Sequence, residues 1–297
     1  MSTVRTADIA SLEKPWAYVV LTKPDVTFLI IITTVAGFYL GSHGSLDWPL
    51  LTHTLLGTVF VGAGTAALNQ YFERQMDALM RRTAMRPLPT GLLQPREVLL
   101  FGVSTVIGGT LWLTLAVNGL SAFLALATSV LYLGLYTPLK TRTTFATAVG
   151  AFPGALPPMI GWAAATHGSL SLGAWLLFGI LFFWQFPHFM AIAWIYREDY
   201  ARAGIRMLPV VDRSGDATFR QIIALSSVLV PFSLLPSVAG IAGIRYFFGA
   251  LVLGMILLQV SLWASRSRTN VRAKWLMHAT VIYIPLLLGL MILDKLS

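Results

Sequence analysis

The sequence contains no cysteine and few charged residues. Without cysteine, the chain forms no disulfide, cysteine-ligated iron–sulfur cluster or CxxCH haem attachment, so any bound metal needs oxygen or histidine ligands. Charged residues make up only 11% of the 297 positions, which is about half the share of an ordinary soluble domain. Hydrophobic residues reach 56%. This balance predicts that a lipid bilayer, rather than water, is the main solvent.

Acidic residues are especially scarce, and the net charge is +9. The basic residues lie in short segments between apolar runs rather than in one basic stripe, which argues against a nucleic-acid partner. The N-terminal segment contains Asp8 and Glu13, unlike an acid-poor transit peptide or a basic signal sequence. We therefore expect the first apolar run to remain as a membrane span, and we predict a cell (inner) membrane location.

Nine stretches approach the roughly 20 apolar residues that a transmembrane helix needs. With the N-terminus inside, all but two of the 21 lysines and arginines fall in inner segments, and only Arg245 and Lys295 lie outside. The sequence thus predicts an all-α, polytopic transmembrane helical bundle of about nine spans with its N-terminus inside. At the start of the first stretch, Lys23 is expected to snorkel outward. The stretches lie near residues 20–41, 50–71, 98–117, 120–136, 145–165, 172–195, 221–241, 246–264 and 275–293.

The inner and outer connections differ in length and charge. The outer ones are short and nearly uncharged, whereas two inner segments, 72–97 and 196–220, are long and mixed in charge. We interpret residues 1–297 as a single transmembrane domain with a cytoplasmic tail, 1–19, and with these two segments as cytoplasmic catalytic loops. The active site is therefore expected on the cytoplasmic side.

An acidic ladder follows the second stretch. Asn69, Glu73 and Asp77 are spaced at i, i+4 and i+8, which places them along one helical face. Mg²⁺ prefers carboxylates together with substrate phosphate oxygens, so the ladder suits a bound diphosphate. A solvated, charge-balanced loop is the alternative interpretation. Nearby cations that could neutralise a departing pyrophosphate are Arg81, Arg82, Arg86, Lys140 and Arg142.

The sixth stretch contains polar residues within an aromatic run. Pro187 should kink the helix, and Gln185 and His188 beside it could line a cavity. Eleven residues separate His188 from Asp199, so an unbroken helix would place both on one face about 16 Å apart. Alternatively, Pro187 only bends the helix and His188 is an ordinary interhelical hydrogen-bonding residue.

Taken together, these segments resemble the intramembrane UbiA-type prenyltransferase superfamily and, within it, the protohaem IX farnesyltransferase (haem O synthase) family. The likeness covers nearly the whole chain. Glu73 and Gln75 stand where the family has aspartates, and Ala203 stands where the wider superfamily has a carboxylate. Arg206 stands where a proline is common in the family. The matching segments are 69–77, 80–83, 86–88, 136–140, 154–158, 161–162, 184–189, 197–200, 203–205 and 207–210.

The resemblance implies farnesyl transfer from farnesyl diphosphate to a vinyl group of haem B, with Mg²⁺ as cofactor and haem O as product. Haem B is a substrate, not a cofactor. The bilayer is a further partner, as are a haem A synthase or terminal oxidase assembly factors. The residues implied for metal binding are Asn69, Glu73, Asp77, Glu198 and Asp199, of which all but Glu198 are also implied in catalysis; those implied for substrate binding are Arg82, Arg86, Lys140, Arg142, Trp184, Gln185, His188 and Tyr200.

Two other functions remain open. Prenylation of an aromatic quinone precursor such as 4-hydroxybenzoate would use the same diphosphate loops. A membrane transporter or haem-binding electron carrier is suggested by the intramembrane histidines His188 and His278. The second alternative is weakened by position, because the polar clusters gather at the inner surface rather than at the membrane midplane.

Overall fold

A computed structural model describes residues 14–296, and all regular elements in that part of the chain are helical. Asp8, Glu13 and the first part of the predicted tail, 1–19, lie outside the described residues. A short helical stretch covers residues 14–21. The helices that follow are α1 Pro24–Gly41, α2 Trp48–Leu79, α3 Pro95–Ala116, α4 Gly119–Leu139, α5 Ala146–Gly154, α6 Pro157–Ala165, α7 Leu172–Ile195, α8 Arg197–Arg202, α9 Leu208–Val211, α10 Asp216–Val238, α11 Ile244–Ser267 and α12 Asn270–Leu293.

Eight of these helices are long and apolar enough to cross a membrane, and they match eight of the nine predicted stretches. The remaining stretch, 145–165, consists of two short helices, α5 and α6. The helix is interrupted between them because Pro157 and Pro158 have no backbone N–H to continue the hydrogen bonding of α5. Pro157 instead begins α6. The all-α membrane bundle is confirmed, whereas the count of nine spans and the orientation of the N-terminus stay predictions.

The first and last spans end on the same face of the bundle. The Lys295 ammonium donates hydrogen bonds to the carbonyl oxygens of Tyr39, at 2.8 Å, and Ser42, at 2.5 Å, just beyond the last turn of α1. The backbone N–H of Gly243, which precedes α11, donates to the carbonyl of Asp294 at 2.8 Å. An odd number of crossings requires this arrangement. The two basic residues predicted to lie outside, Arg245 and Lys295, accordingly share one end.

The helix that carries the acidic ladder is longer than a membrane crossing. At 32 residues, α2 extends about 48 Å, whereas the hydrocarbon core is about 30 Å thick. The segment predicted as the first catalytic loop, 72–97, is therefore helical as far as Leu79. The second, 196–220, likewise contains α8, α9 and the start of α10. Both predicted loops therefore contain helical structure, which positions their side chains.

Glycines allow α1 and α6 to pack backbone against backbone. A Cβ atom at Gly37 would collide with the carbonyl oxygen of Pro158, and one at Gly161 would collide with that of Thr34. Small residues are enriched at such contacts in membranes because they let helices approach closely and gain van der Waals packing. This contact fixes α1, and with it the chain at Lys23.

The glycine contact generates a stability prediction. Gly37→Ala should destabilise the protein by about 1–3 kcal/mol, because the added methyl group forces the α1 and α6 backbones apart. Gly108→Ala is the matched control, since a Cβ there meets open space on α3 and alanine favours a helix. Thermal denaturation of both variants in detergent tests the difference. Equal midpoints would contradict the proposed packing constraint.

Candidate active site

The acidic ladder lies on one buried face of α2, as its spacing predicts. The exposed fractions of Asn69, Glu73 and Asp77 are only 1%, 5% and 0%. Burying an ionised carboxylate is costly unless the charge is paired and hydrogen-bonded. The ladder is therefore not a solvated loop feature, and its carboxylates need cationic partners.

Both carboxylates have such partners from other parts of the chain. The Lys140 ammonium lies 2.5 Å from Glu73 Oε1. The Arg86 guanidinium donates from Nη1 to both oxygens of Asp77, at 2.8 and 2.9 Å. Two basic residues that the sequence assigned to diphosphate binding thus neutralise ladder carboxylates when no ligand is bound.

Lys23 completes the cluster, and the prediction that it snorkels outward is wrong. Its ammonium donates to Asn69 Oδ1 at 2.9 Å, and the Asn69 amide in turn donates to Glu73. Burial and the nearby Arg86 guanidinium lower the pKa of Lys23 to about 8. A lysine directly before a proline was the available sequence signal, because Pro24 disfavours continuation of the preceding helix through Lys23.

The end of α4 delivers Lys140 to the cluster. Residues Leu131–Tyr136 form a π-helical turn, a feature that is frequent at functional sites. The Lys140 carbonyl accepts a hydrogen bond from the backbone N–H of Arg206 at 2.7 Å, which ties the loop after α8 to α4. Arg142 is exposed: its backbone N–H donates to the Leu139 carbonyl, and its carbonyl accepts from the Arg206 guanidinium.

The second acidic segment meets the first at the same end of the bundle. Asp199, buried on α8, accepts from the backbone N–H of Arg82 at 3.3 Å and forms an ion pair with Arg202. Arg202 also donates to the carbonyl of Leu79, the last residue of α2. The end of α2 and α8 are therefore in direct contact, as the predicted two-part site requires.

Aromatic rings on and beside α8 hold the Arg82 side chain. Its guanidinium lies over the Tyr196 ring, 4.9 Å from the centroid, and donates to the Tyr200 hydroxyl at 3.4 Å. Burial raises the pKa of Tyr200, so the phenol keeps its proton as a hydrogen-bond donor. Arg82 and Tyr200 thus present donors beside Asp199.

Several residues predicted from the sequence lie away from this cluster. Glu198 is exposed, whereas its neighbour Asp199 points inward. Arg81 is also exposed. Gln75, which stands in place of a family aspartate, lies on the exposed side of α2, so that departure does not alter the buried ladder.

Trp184 and His188 are held against α12. The Trp184 indole N–H donates to the Thr280 carbonyl at 2.7 Å, and His188 Nδ1 lies 2.8 Å from the Thr280 hydroxyl. The two rings stack with centroids 4.9 Å apart. His188 is therefore the interhelical hydrogen-bonding residue of the alternative interpretation, with Nδ1 occupied by Thr280.

Gln185 hydrogen-bonds to neighbouring backbone, and Pro187 does not end the helix that contains it. The Gln185 amide donates to the carbonyls of Ala151 and Leu181, so it joins α7 to α5. Pro187 lies inside α7, which continues to Ile195. Tyr196 caps the end of α7, before the chain reaches Asp199. His188 and Asp199 therefore do not lie on the one unbroken helix for which a separation of 16 Å was predicted.

The two intramembrane histidines do not form a pair. Thr280 of α12 faces His188, whereas His278 is exposed and borders a groove between α11 and α12. Two positions along an α-helix turn the side chain to the opposite side. This placement argues against a bis-histidine haem carrier.

The oxygen-bearing groups fit one particular mode of magnesium binding. Within residues 14–296, no three histidine or acidic side chains are grouped closely enough to enclose a metal ion by themselves. Mg²⁺ is usually held by one or two carboxylates together with substrate phosphates rather than by an all-protein cage. Buried carboxylates surrounded by basic residues meet this requirement.

The pairing of Glu73 with Lys140 generates a stability prediction. Lys140→Met should destabilise the fold by about 3–5 kcal/mol because it leaves a buried carboxylate without its cation. The double variant Glu73→Gln/Lys140→Met should recover most of the loss, since no buried charge remains. A double-mutant cycle by thermal denaturation measures this coupling. A double variant as unstable as the single one would show that the pair is not the cause.

Comparison with known proteins shows the family. The UbiA prenyltransferase family matches residues 30–284. A protoheme IX farnesyltransferase from Solibacter usitatus is 48% identical over 94% of this chain and 98% of its own length. Another, from Koribacter versatilis, is 47% identical over 97% of this chain and 95% of its own length.

Solved structures share the fold. A digeranylgeranylglyceryl phosphate synthase structure has a TM-score of 0.78 at 18% identity and covers 95% of this chain and 98% of that one. A UbiA homolog from Archaeoglobus fulgidus bound to DMAPP and Mg²⁺ has a TM-score of 0.64 at 16% identity, with coverages of 92% and 98%. At such identities the likeness concerns the fold alone, but the full-length relatives go further. The chain belongs to the UbiA prenyltransferase family and, within it, to the protoheme IX farnesyltransferases.

Proposed function

We propose that this protein transfers the farnesyl group of farnesyl diphosphate to a vinyl group of haem B, giving hydroxyethylfarnesyl haem (haem O) and diphosphate. The observation that carries the proposal is the contact between two buried acidic segments, α2 and α8, at one end of a membrane bundle, with basic residues on every side. The relatives named protoheme IX farnesyltransferase, which match over nearly the full length, support haem as the acceptor.

Asn69, Glu73, Asp77 and Asp199 are the residues proposed to hold Mg²⁺. When bound, Mg²⁺ neutralises charge on the diphosphate and so favours its departure as pyrophosphate. Arg86 and Lys140 now lie on ladder carboxylates, and we propose that they turn toward phosphate oxygens when the substrate and metal bind. Their charges then stabilise the negative charge that develops on the leaving group.

The remaining residues have positioning roles in this proposal. Arg82 and Tyr200 donate to the diphosphate from α8 and the loop after α2. The buried aromatic body of α7 excludes water from the allylic carbon until the vinyl group has attacked it. Trp184 and Gln185, both fixed by hydrogen bonds to neighbouring helices, form one wall for the porphyrin, and His188 presents its second ring nitrogen on the same helix. Water adds to the resulting cation and releases a proton to solvent, which leaves a hydroxyl group.

The proposal includes a location and a product path. The positive-inside bias supports a multi-pass protein of the cell membrane with its active site on the cytoplasmic side. Haem O remains in the membrane as a lipophilic product, so an enzyme that oxidises it further, such as a haem A synthase, or terminal oxidase assembly factors, would receive it.

A mass measurement tests substrate, reaction and metal together. Membranes containing the protein, supplied with haem B, farnesyl diphosphate and Mg²⁺, should yield a haem heavier by one farnesyl and one hydroxyl group. A chelator should abolish the product, and excess Mg²⁺ should restore it. Unchanged haem with prenylated 4-hydroxybenzoate would instead favour the quinone-precursor reaction.

Two adjacent carboxylates provide a matched pair of variants. Asp199→Asn should lower kcat/KM at least about a hundredfold, because it removes a buried charge from the proposed metal site. Glu198→Gln should stay within about twofold of the unaltered protein, since exposed substitutions change free energies by about 0.5 kcal/mol or less. Equal losses in both variants would contradict the assignment of Asp199 alone.

A further inference from the structure

Lys23 occupies a backbone conformation that is unfavourable for a lysine. It joins the helical stretch 14–21 to α1, and its φ of 48° and ψ of 71° lie in the left-handed region. Residues other than glycine enter that region at an energetic cost and remain there only when their surroundings impose it. Such strain is concentrated at binding and catalytic sites.

The surroundings that impose this turn come from the ladder helix itself. The side-chain amide of Gln70, next to Asn69 on α2, donates to the carbonyl of the fully buried Leu21 at 3.1 Å. On the other side of the turn, the Thr27 hydroxyl donates to the Thr22 carbonyl at 2.8 Å. The turn is clamped on both sides, and the clamp directs the lysine toward α2.

Within the described part of the chain, the ammonium of Lys23 is buried without a carboxylate partner of its own. Its acceptor is the neutral amide of Asn69, and it forms no ion pair with a carboxylate among residues 14–296. Burial disfavours the charged ammonium first, and Arg86 and Lys140, which already occupy the two ladder carboxylates, repel it while Glu73 and Asp77 attract it from a distance. Lys23 is thus a strained, largely desolvated cation whose hydrogen-bond acceptor is neutral.

These features point to an anion that arrives from outside. We propose that Lys23 is a diphosphate-binding residue: its ammonium leaves Asn69 Oδ1 for a phosphate oxygen when the prenyl diphosphate binds with Mg²⁺, and Asn69 Oδ1 becomes free to face the metal. The inference rests on the proposed function, because it places Lys23 in the same site. On binding, each ladder residue then loses its contact with one basic residue and faces the ligand instead: Asn69 loses Lys23, Glu73 loses Lys140 and Asp77 loses Arg86.

Affinity for pyrophosphate tests the inference without depending on haem. In calorimetric titrations of the full chain in detergent with Mg²⁺ and inorganic pyrophosphate, Lys23→Met should bind about ten- to a hundredfold more weakly, the usual cost of losing a hydrogen bond to a charged group. Lys23→Arg should retain most of the affinity. Lys274→Met is the matched control, because Lys274 is exposed on α12. In turnover assays, Lys23→Met should raise the KM for farnesyl diphosphate and leave that for haem unchanged.

Thermal denaturation separates binding from a structural role. Without ligand, Lys23→Met should melt at the same or a higher temperature than the unaltered protein, because it removes the cost of burying an ammonium group. A lower melting temperature together with unchanged pyrophosphate affinity would overturn the inference. Unaltered protein that binds no Mg²⁺-pyrophosphate would overturn the diphosphate site of the proposed function as well, whereas binding by the unaltered protein and Lys23→Met with equal affinity would overturn the Lys23 assignment alone.

Discussion

The structure depends on how three buried polar residues, spaced four positions apart on α2, find partners. Asn69, Glu73 and Asp77 are buried where no water can solvate them, so each needs a partner from elsewhere in the chain. The partners come from the start of α1, the end of α4 and the loop after α2. These contacts bring distant segments to one end of α2. In the proposed function, the basic residues that neutralise these side chains also supply the positive charge that a diphosphate requires.

Pairing buried carboxylates with buried cations costs desolvation energy, and this cost helps to explain the site. Buried ion pairs are weak sources of stability because desolvation offsets most of their attraction. In the proposed function, the pairs at Glu73 and Asp77 are exchanged for a metal and an anion, and the small net gain from each pair keeps the cost of that exchange modest. A protein-only metal cage, with carboxylates held together without cations, would repel itself in this environment. A site that is completed by its substrate avoids that problem.

The sequence predicted the features that arise from local periodicity and solvent. Apolar length and the distribution of basic residues indicated the membrane bundle, and the four-residue spacing placed the ladder on one face of α2. Features that depend on where one helix ends and the next begins were not predictable in this way. Asp199 and Glu198 are adjacent carboxylates, and only the new helix that begins at Arg197 determines which one is buried. Lys23 was misread because its direction depends on a clamp from Gln70, a contact across 49 residues of sequence. The break in the fifth stretch, at Pro157, was present in the sequence but hidden by its uniformly apolar composition.

The hydrogen bonds between Lys295 and the end of α1 have a consequence for the order in which contacts form during synthesis of the chain. This contact joins α1 to the chain that follows α12, so it can form only after residue 295 has left the ribosome. The polar cluster has no such requirement, because its members lie between Lys23 and Arg202. Segments made first generally fold first. The polar cluster can therefore form during translation, before α10, α11 and α12 are complete.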